Sequence, residues 1–389
     1  MKIEKRLAAI CLVGFMLLFV FYACRPAVRA PEAELDTPEH HVMNGMKLLK
    51  KGKIDDAFRD FNLAKELDPK FSGAYVGLGL VWGHREDFEK AMKNMKLAKK
   101  YADTKEEEAN AYIGSMRLYT LGKNKIDEDW LEETEDAFED AIDLMPHSSA
   151  AYFYMGVAYK EAYEFGKASQ NFAKVLDLDD EYVADADAEY KVVQKIQRAM
   201  PGTTVGKKIA LVKEITRGDI AALFIQELKL DTLYEKRTVK EFDTRYKDPV
   251  KQFETEMIEK VPPATDIADY VLKTDVDIVI RIGVRGLEPF ADHTFKPYKT
   301  ITRAEYAVMI EDILIKVTGD QKLATKFIGS TSPFPDLRSD LHYFNAVMVC
   351  TTRGILQADV ATGEFNSMGT ISGADALLAI RILKSQIEM

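Results

Sequence analysis

A period of 34 residues in the first half of the chain constrains its fold more than any other feature. Gly45 recurs as Gly79, and Ala57 recurs as Ala91, within a chain of 389 residues. Self-similarity at such a period is typical of repeat proteins, in which each unit buries its apolar face only against its neighbours. The sequence therefore predicts a stacked array between residues 38 and 182 in place of a single globular core.

Four segments carry small and aromatic residues in the phase of this repeat. They are AFRDFNLAKELDP at 57–69, AYVGLGLVW at 74–82, AFEDAIDLMP at 137–146 and AYFYMGVAY at 151–159. These segments resemble the tetratricopeptide repeat (TPR), which has two antiparallel helices per unit. The resemblance implies an α-solenoid of about four repeats over residues 38–182, with a groove that holds a protein or peptide partner. The third repeat is expected to be distorted, because GKNKIDEDW at 122–130 lengthens the turn between its helices.

Six aromatic residues at helical spacing could belong either to the core of the array or to a binding strip. They are Tyr75, Trp82, Tyr112, Tyr119, Tyr152 and Tyr159. The spacing favours packing between repeats, so we predict that most of them are core residues.

The N-terminus has the features of a targeting segment. Lys2, Lys5 and Arg6 precede an uncharged apolar run that ends at Cys24, and this pattern resembles a bacterial lipoprotein signal. The resemblance implies cleavage after residue 23, a lipid on Cys24 and a linker over residues 24–37. It places the protein in the cell envelope, on the periplasmic face of the outer membrane. An uncleaved membrane anchor is the alternative, because the run approaches the ~17 residues that a spanning helix needs.

Composition and motifs restrict the class of partner and of chemistry. Loss of residues 1–23 would remove three cations and Glu4, so the formal net charge would change from −10 to about −12. Such an acidic chain is not expected to bind nucleic acid. The sequence has no phosphate-binding loop, nucleophile motif or metal-ligand spacing, so we predict no cofactor, no metal and no enzymatic activity. Cys350, in the apolar segment AVMVCTTRG, is predicted to be a small buried residue.

The phrase ITRAEY, at residues 301–306, has the spacing of a helix start. Thr302 at the N-cap and Glu305 three residues later are placed to form a capping box. Related copies are ITRGDI at 215–220 and ISGADA at 371–376. In these copies Asp219 and Asp375 take the position of Glu305, so three helices are predicted to begin in the same way.

An arginine at the first helical position is the part of the phrase that capping does not explain. Arg217 and Arg303 lie where the helix dipole disfavours a cation, by up to ~1 kcal/mol, whereas the third copy has Gly373. Each arginine therefore needs a partner. That partner is either a bound anion or an acidic residue of the preceding turn.

Longer stretches around the three copies support a second resemblance. FADHTFKP precedes the second copy, and FPD, RGI and GEF precede the third. These features resemble the S-layer homology (SLH) domain, which implies a bundle of three helical modules that binds cell-wall glycan, either peptidoglycan or an attached polysaccharide. Carried over residue by residue, the resemblance nominates as glycan-binding residues Arg217, Asp219, Asp292, Arg303, Glu305 and Asp375. For the acids of the capping boxes, capping alone is a sufficient explanation.

Together the two resemblances predict a mostly α-helical chain, a TPR α-solenoid followed by an SLH-like three-module bundle. The predicted parts are a signal at 1–23, a linker at 24–37, the array at 38–182, a degenerate module at 183–235, a charged connector at 236–260, and modules at 261–325 and 326–389. The predicted function is a lipid-anchored bridge between cell-wall glycan and a protein partner. The alternatives are an assembly scaffold without glycan binding, and a cell-wall hydrolase or its activator.

Overall fold

The computed structural model describes residues 29–237 and 264–387. The chain divides into two units, Met1–Ala186 and Asp187–Met389. In the described ranges the regular structure is helical apart from two isolated β-bridges, so the predicted fold class is confirmed. None of the helices in these ranges combines the length and the apolar character that a membrane span requires. The predicted signal, Cys24 and most of the charged connector lie outside the described residues.

Eight helices precede the end of the first unit and pack in four successive pairs. They are α1 (Pro38–Lys50), α2 (Ile54–Leu67), α3 (Ser72–His84), α4 (Phe88–Tyr101), α5 (Lys105–Gly122), α6 (Trp130–Leu144), α7 (Ser149–Glu161) and α8 (Phe165–Leu178). Four of them begin at a side-chain cap, because Thr37, Asp87, Thr104 and Ser148 each accept a backbone N–H of the first turn. The result is an α-solenoid of the TPR type.

Glycines of the array allow its helices to approach a phenylalanine ring closely. A Cβ atom built on Gly45 would lie 2.6 Å from the ring of Phe61, and one built on Gly77 would lie 2.2 Å from it. Phe61 is fully buried between the two glycines. In the last pair Gly156 faces Phe172 in the same way, at 2.7 Å. Since full burial of a phenylalanine contributes about 1.5–3 kcal/mol, these contacts stabilise the first and last pairs.

The third pair departs from the regular repeat, as predicted. Helix α5 has 18 residues, and a short 3-10 turn at Lys123–Lys125 follows it. Lys123 adopts a positive φ of 47°. The chain therefore makes a longer turn before α6 begins at Trp130.

Eight further helices build the rest of the described chain. They are α9 (Val183–Ala199), α10 (Thr204–Ala210), α11 (Arg217–Gln226), α12 (Leu230–Arg237), α13 (Lys273–Ile282), α14 (Arg303–Thr318), α15 (Phe344–Thr352) and α16 (Gly373–Ile387). The boundary between the units, after Ala186, falls inside α9 and four residues beyond the predicted end of the array.

Three short segments, each just before α11, α14 or α16, meet in the core of the second unit. The backbone N–H of Ile301 donates to the carbonyl of Ile215 at 3.0 Å, and the N–H of Ile215 donates to the carbonyl of Ile371 at 3.0 Å. All three isoleucines are at most 1% exposed. The three copies of the sequence phrase therefore share one buried junction.

Backbone hydrogen bonds at the three helix starts, the N-termini of α11, α14 and α16, close this junction into a ring. They run from Arg217 N–H to Lys299 O at 2.9 Å, from Arg303 N–H to Gly369 O at 2.9 Å, and from Gly373 N–H to Val212 O at 2.8 Å. Each helix start is thus bonded to the segment that precedes the next one. The third start returns to the segment before the first.

Tyr306 joins the three helices above the junction. Its side chain is fully buried, and its hydroxyl donates to the carbonyl of Ala376 at 2.9 Å. Its ring stacks on Phe224, with 6.1 Å between centroids. One residue of α14 therefore contacts both α16 and α11.

Candidate functional site

The helix starts confirm the capping that the sequence predicts. The backbone N–H of Thr302 donates to Glu305 at 2.8 Å, and that of Thr216 donates to Asp219 at 2.9 Å; both capping boxes are complete. At the third start the hydroxyl oxygen of Ser372 accepts the backbone N–H three residues on, at 3.2 Å. Asp219 and Glu305 therefore have a local structural role whether or not they contact a ligand.

Arg217 is held by backbone carbonyls of the loop that precedes α14. Its Nε donates to Phe295 O at 2.8 Å, its Nη1 to Gly286 O at 2.6 Å and its Nη2 to Glu288 O at 2.9 Å. The guanidinium carbon lies 4.7 Å from the ring centroids of Phe290 and Phe295. Arg217 is only 4% exposed, so it stabilises the conformation of the loop before α14 from a buried position.

Arg303 repeats this arrangement at the start of α14. Its Nε donates to Phe365 O at 2.8 Å, its Nη2 donates to Gln357 O at 2.6 Å, and its guanidinium lies 4.7 Å from the ring of Phe365. In the described ranges neither arginine forms the ion pair with an acidic residue that the sequence suggested as one alternative. The reason is geometric, because the inward-turned loop presents its carbonyl oxygens to the helix start.

The third copy has Gly373 where the other two have an arginine, because the backbone of a neighbouring segment fills the space for a side chain. A Cβ atom on Gly373 would lie 1.7 Å from the carbonyl oxygen of Ile209. The backbone of the last turn of α10 therefore leaves no space for a side chain at Gly373. The missing arginine of the third copy follows from close backbone packing.

Asp292 and Asp375, two further predicted residues, also have local partners. Asp292 accepts the backbone N–H of Thr294 at 3.0 Å and its hydroxyl at 2.6 Å, and these hydrogen bonds lower the pKa of Asp292. Asp375 forms an ion pair with Lys195 of α9 at 2.6 Å. Asp292 shapes the turn before the second helix start, and Asp375 attaches α9 to the third.

Two aspartates that the sequence analysis did not single out as site residues organise the loops that the arginines hold. Asp266 accepts the backbone N–H groups of Phe295 and of the next residue, both at 2.7 Å. Asp336 accepts those of Phe365 and of the next residue, at 2.9 and 2.7 Å. The FPD segment contains Asp336, so the sequence carried a signal for this role in one of the two modules.

A cleft of about 670 Å³ opens at the start of α14. It is lined by Arg217, Arg285, Gly286, Glu288, Pro289, Phe290, Lys299, Thr302, Ala304, Glu305, Val308, Met309, His342, Tyr343 and Met368. The volume lies within the range of small-ligand pockets, which combine apolar walls with a few polar groups. Of the predicted residues, Arg217 and Glu305 line the cleft, whereas Asp219, Asp292, Arg303 and Asp375 lie elsewhere.

Acidic and basic side chains both line this α14 cleft. Burial opposes ionisation of Glu305, but hydrogen bonds from the Thr302 amide and from Lys299, at 2.8 and 2.9 Å, outweigh it and lower its pKa. The Arg285 side chain is 54% exposed and lies 3.7 Å from the buried carboxylate of Glu311. Lys299 and Arg285 therefore present exposed donors at the rim, above the buried guanidinium of Arg217.

The equivalent space at the start of α11 is filled by Tyr270. A Cβ atom on Gly218 would lie 2.0 Å from the Tyr270 hydroxyl oxygen, whereas the matching residue of α14, Ala304, lines the cleft. The Tyr270 ring also packs against Tyr298, with centroids 5.3 Å apart. The small residue after the arginine thus decides how closely a neighbouring side chain approaches each helix start.

Other predicted features of the chain are not among the residues that line this cleft. Among the six aromatic residues of the array, Tyr75 is 5% exposed, Tyr119 donates to Glu133 at 3.0 Å, and Tyr159 donates to Glu135 at 2.6 Å. Cys350 is fully buried, as predicted. Within the described ranges no group of three or more His, Cys, Asp or Glu side chains is placed to hold a metal ion.

Comparisons with known proteins bear on the array. No family model matches the chain. A segment of 137 residues, 35% of the chain, is 31% identical to human tetratricopeptide repeat protein 6. This similarity and the paired helices of the first unit support repeats of the tetratricopeptide type. The match spans 24% of the human protein, so the chain covers about a quarter of the length of this relative.

Proposed function

We propose that this chain is a non-enzymatic protein of the cell envelope that binds cell-wall glycan in the α14 cleft and a protein partner on its TPR array. A lipid on Cys24 would tether it to the periplasmic face of the outer membrane. In this role the protein bridges the wall and its partner without a cofactor. The observation that carries the glycan part is the α14 cleft, at the start of the helix that bears ITRAEY.

The residues of the cleft suit an anionic sugar. Phe290 and Tyr343 offer ring faces on which a pyranose can pack, while Arg285 and Lys299 offer charge-assisted hydrogen bonds. His342 adds a further exposed polar group. Carboxylate-bearing glycan would pair with these cations, whereas neutral sugar would retain mainly the contacts with the rings.

The array supports the protein-binding part. Stacked repeats present an extended surface that commonly binds peptide segments, and the similarity to a human protein named for the same repeats agrees with this role. The alternative is an assembly scaffold, which would bind the protein partner on the array and would not bind glycan.

Co-sedimentation with purified cell-wall sacculi tests glycan binding. The soluble chain from Arg25 onward should pellet with sacculi, and the double variant Arg285→Gln, His342→Ala should remain in the supernatant. Both replaced side chains are exposed, so the fold should survive. Arg338→Gln is the matched control, because Arg338 is exposed and pairs with Asp340 outside the cleft.

The outcomes separate the alternatives. If the parent chain never pellets with sacculi, the proposal of glycan binding is wrong, and the alternative of an assembly scaffold is favoured. If the double variant pellets like the parent, the cleft is not the binding site. Release of soluble fragments from the sacculi would instead indicate a hydrolase. Membrane fractionation of the full chain and of Cys24→Ala tests the tether, since the variant should lose the membrane fraction.

A further inference from the structure

Arg117 of helix α5 differs from the other arginines of the array in its partners. Its Nη1 contacts the Met46 sulfur at 3.7 Å, and its guanidinium carbon lies 4.6 Å from the ring centroid of Tyr154. In the described part of the chain it has no carboxylate partner. An arginine has five N–H donors, and a thioether and a ring face are weak acceptors, so strong hydrogen-bonding capacity remains unused.

The other two arginines of the array are paired with acids. Arg59 pairs with Asp56, and Arg85 pairs with Asp55 at 2.6 Å. The chain is acidic as a whole, with a formal net charge of −10, so carboxylates are abundant. Among the arginines of the described array, the half-buried Arg117 is therefore the exception that has no carboxylate partner.

The surroundings of Arg117 are apolar and aromatic. The rings of Phe153 and Tyr182 stack with centroids 4.9 Å apart, and Tyr154 meets Tyr182 edge-on at 5.6 Å. Phe153, Tyr154 and Tyr182 are each partly buried, and this burial raises the pKa of Tyr182. Ion pairs formed in such a setting are less screened than those on an open surface.

His84, on helix α3, does not add a second positive charge near Arg117. Burial and the positive charge of Arg117 both lower the pKa of His84, so its imidazole is neutral at pH 7. The positive charge beside these rings therefore comes from Arg117 and not from His84. The Arg117 site, as we call it, comprises Met46, Arg117, Phe153, Tyr154 and Tyr182.

We propose that the array captures a protein segment that places an aspartate or glutamate side chain on Arg117 and packs flanking apolar residues against Met46 and the Phe153, Tyr154 and Tyr182 cluster. This inference rests on the protein-binding part of the proposed function and names the chemistry of the partner. Charge complementarity carries it, because a carboxylate satisfies the unused donors in a bidentate manner. The apolar residues that flank the acid in the bound segment cover the partly buried rings of the Arg117 site.

Selection from a random peptide library tests the proposal without a known partner. The soluble chain from Arg25 onward serves as bait, in parallel with Arg117→Gln and with the control Arg59→Gln, whose guanidinium is exposed and pairs with Asp56. Peptides selected by the parent should share an acidic residue between apolar ones. They should bind Arg117→Gln at least about tenfold more weakly, the equivalent of one charge-assisted hydrogen bond, and should bind Arg59→Gln unchanged.

Each other result has a distinct meaning. Selected peptides without a shared acidic residue, or with equal affinity for Arg117→Gln, overturn this inference and leave the protein-binding function intact. Failure to select any peptide overturns both. Tryptophan fluorescence of Trp82 and Trp130 verifies that Arg117→Gln keeps the fold of the array, and replacement of the peptide acid by its amide should reproduce the loss on the ligand side.

Discussion

Replacement of Arg217 by methionine should destabilise the second unit by about 3–5 kcal/mol, because it leaves three carbonyl oxygens without their donor. Those oxygens belong to Phe295, Gly286 and Glu288, at 2.6 to 2.9 Å from the guanidinium nitrogens. A hydrogen bond to a charged group contributes about 1.5–3 kcal/mol. The desolvation of the buried arginine offsets part of that sum, and methionine keeps the contact with the phenylalanine rings.

The two tryptophans make the measurement specific to one unit. Trp82 and Trp130 both lie in the array, so tryptophan fluorescence during urea denaturation follows the first unit, whereas far-ultraviolet circular dichroism follows all helices. Arg217→Met should shift the circular dichroism transition to lower urea and leave the fluorescence transition in place. Arg303→Met removes two such bonds from a less buried group, so its effect should be smaller, about 2–3 kcal/mol.

A specific result would refute this reasoning. If Arg217→Met unfolds at the same urea concentration as the exposed control Arg338→Met, the arginine does not stabilise the loop. Its role would then be confined to a ligand. A loss of sacculus binding at unchanged stability would point in the same direction.

Three further outcomes follow from the packing and the charges. Gly373→Ala should destabilise the second unit by more than about 2 kcal/mol, whereas Gly166→Ala, where a Cβ meets nothing within 4 Å, should be neutral or slightly stabilising by thermal denaturation. Gly218→Ala should be destabilising in the parent and nearly neutral in a Tyr270→Ala background, which a double-mutant cycle measures. Burial raises the pKa of Glu311 above 4.5. The folded chain therefore holds this proton more tightly than the unfolded chain, and the free energy of unfolding should fall as the pH rises through 4.5. Glu311→Gln should flatten this part of the profile of unfolding free energy against pH.

Local spacing explains what the sequence predicts well. The capping boxes at Thr216 and Thr302 involve residues three positions apart, and the distorted turn before Trp130 is visible as extra residues between repeat-phase segments. Such features depend on a few neighbouring residues, so a single sequence is sufficient. The period of 34 likewise needs only comparison of the chain with itself.

Long-range geometry explains what the sequence does not predict. The partners of Arg217 are main-chain oxygens 69 to 78 positions away, and every residue type carries such an oxygen, so composition contains no signal for them. The same holds for the Ile209 carbonyl that excludes a side chain at Gly373. The cleft residues Arg285 and His342 come from separate loops that approach each other only in the folded unit.

The ring of backbone hydrogen bonds in the second unit has a consequence for synthesis of the protein. The bond from Gly373 to Val212 joins positions far apart in the chain, so the junction remains incomplete until the last of its three segments has left the ribosome. The array, whose pairs form between neighbours, can fold earlier. Contacts of long sequence separation form slowly, and apolar segments stay exposed until they form. Nascent chains should therefore bind chaperones most strongly after α11 is complete and before α16 has emerged from the ribosome.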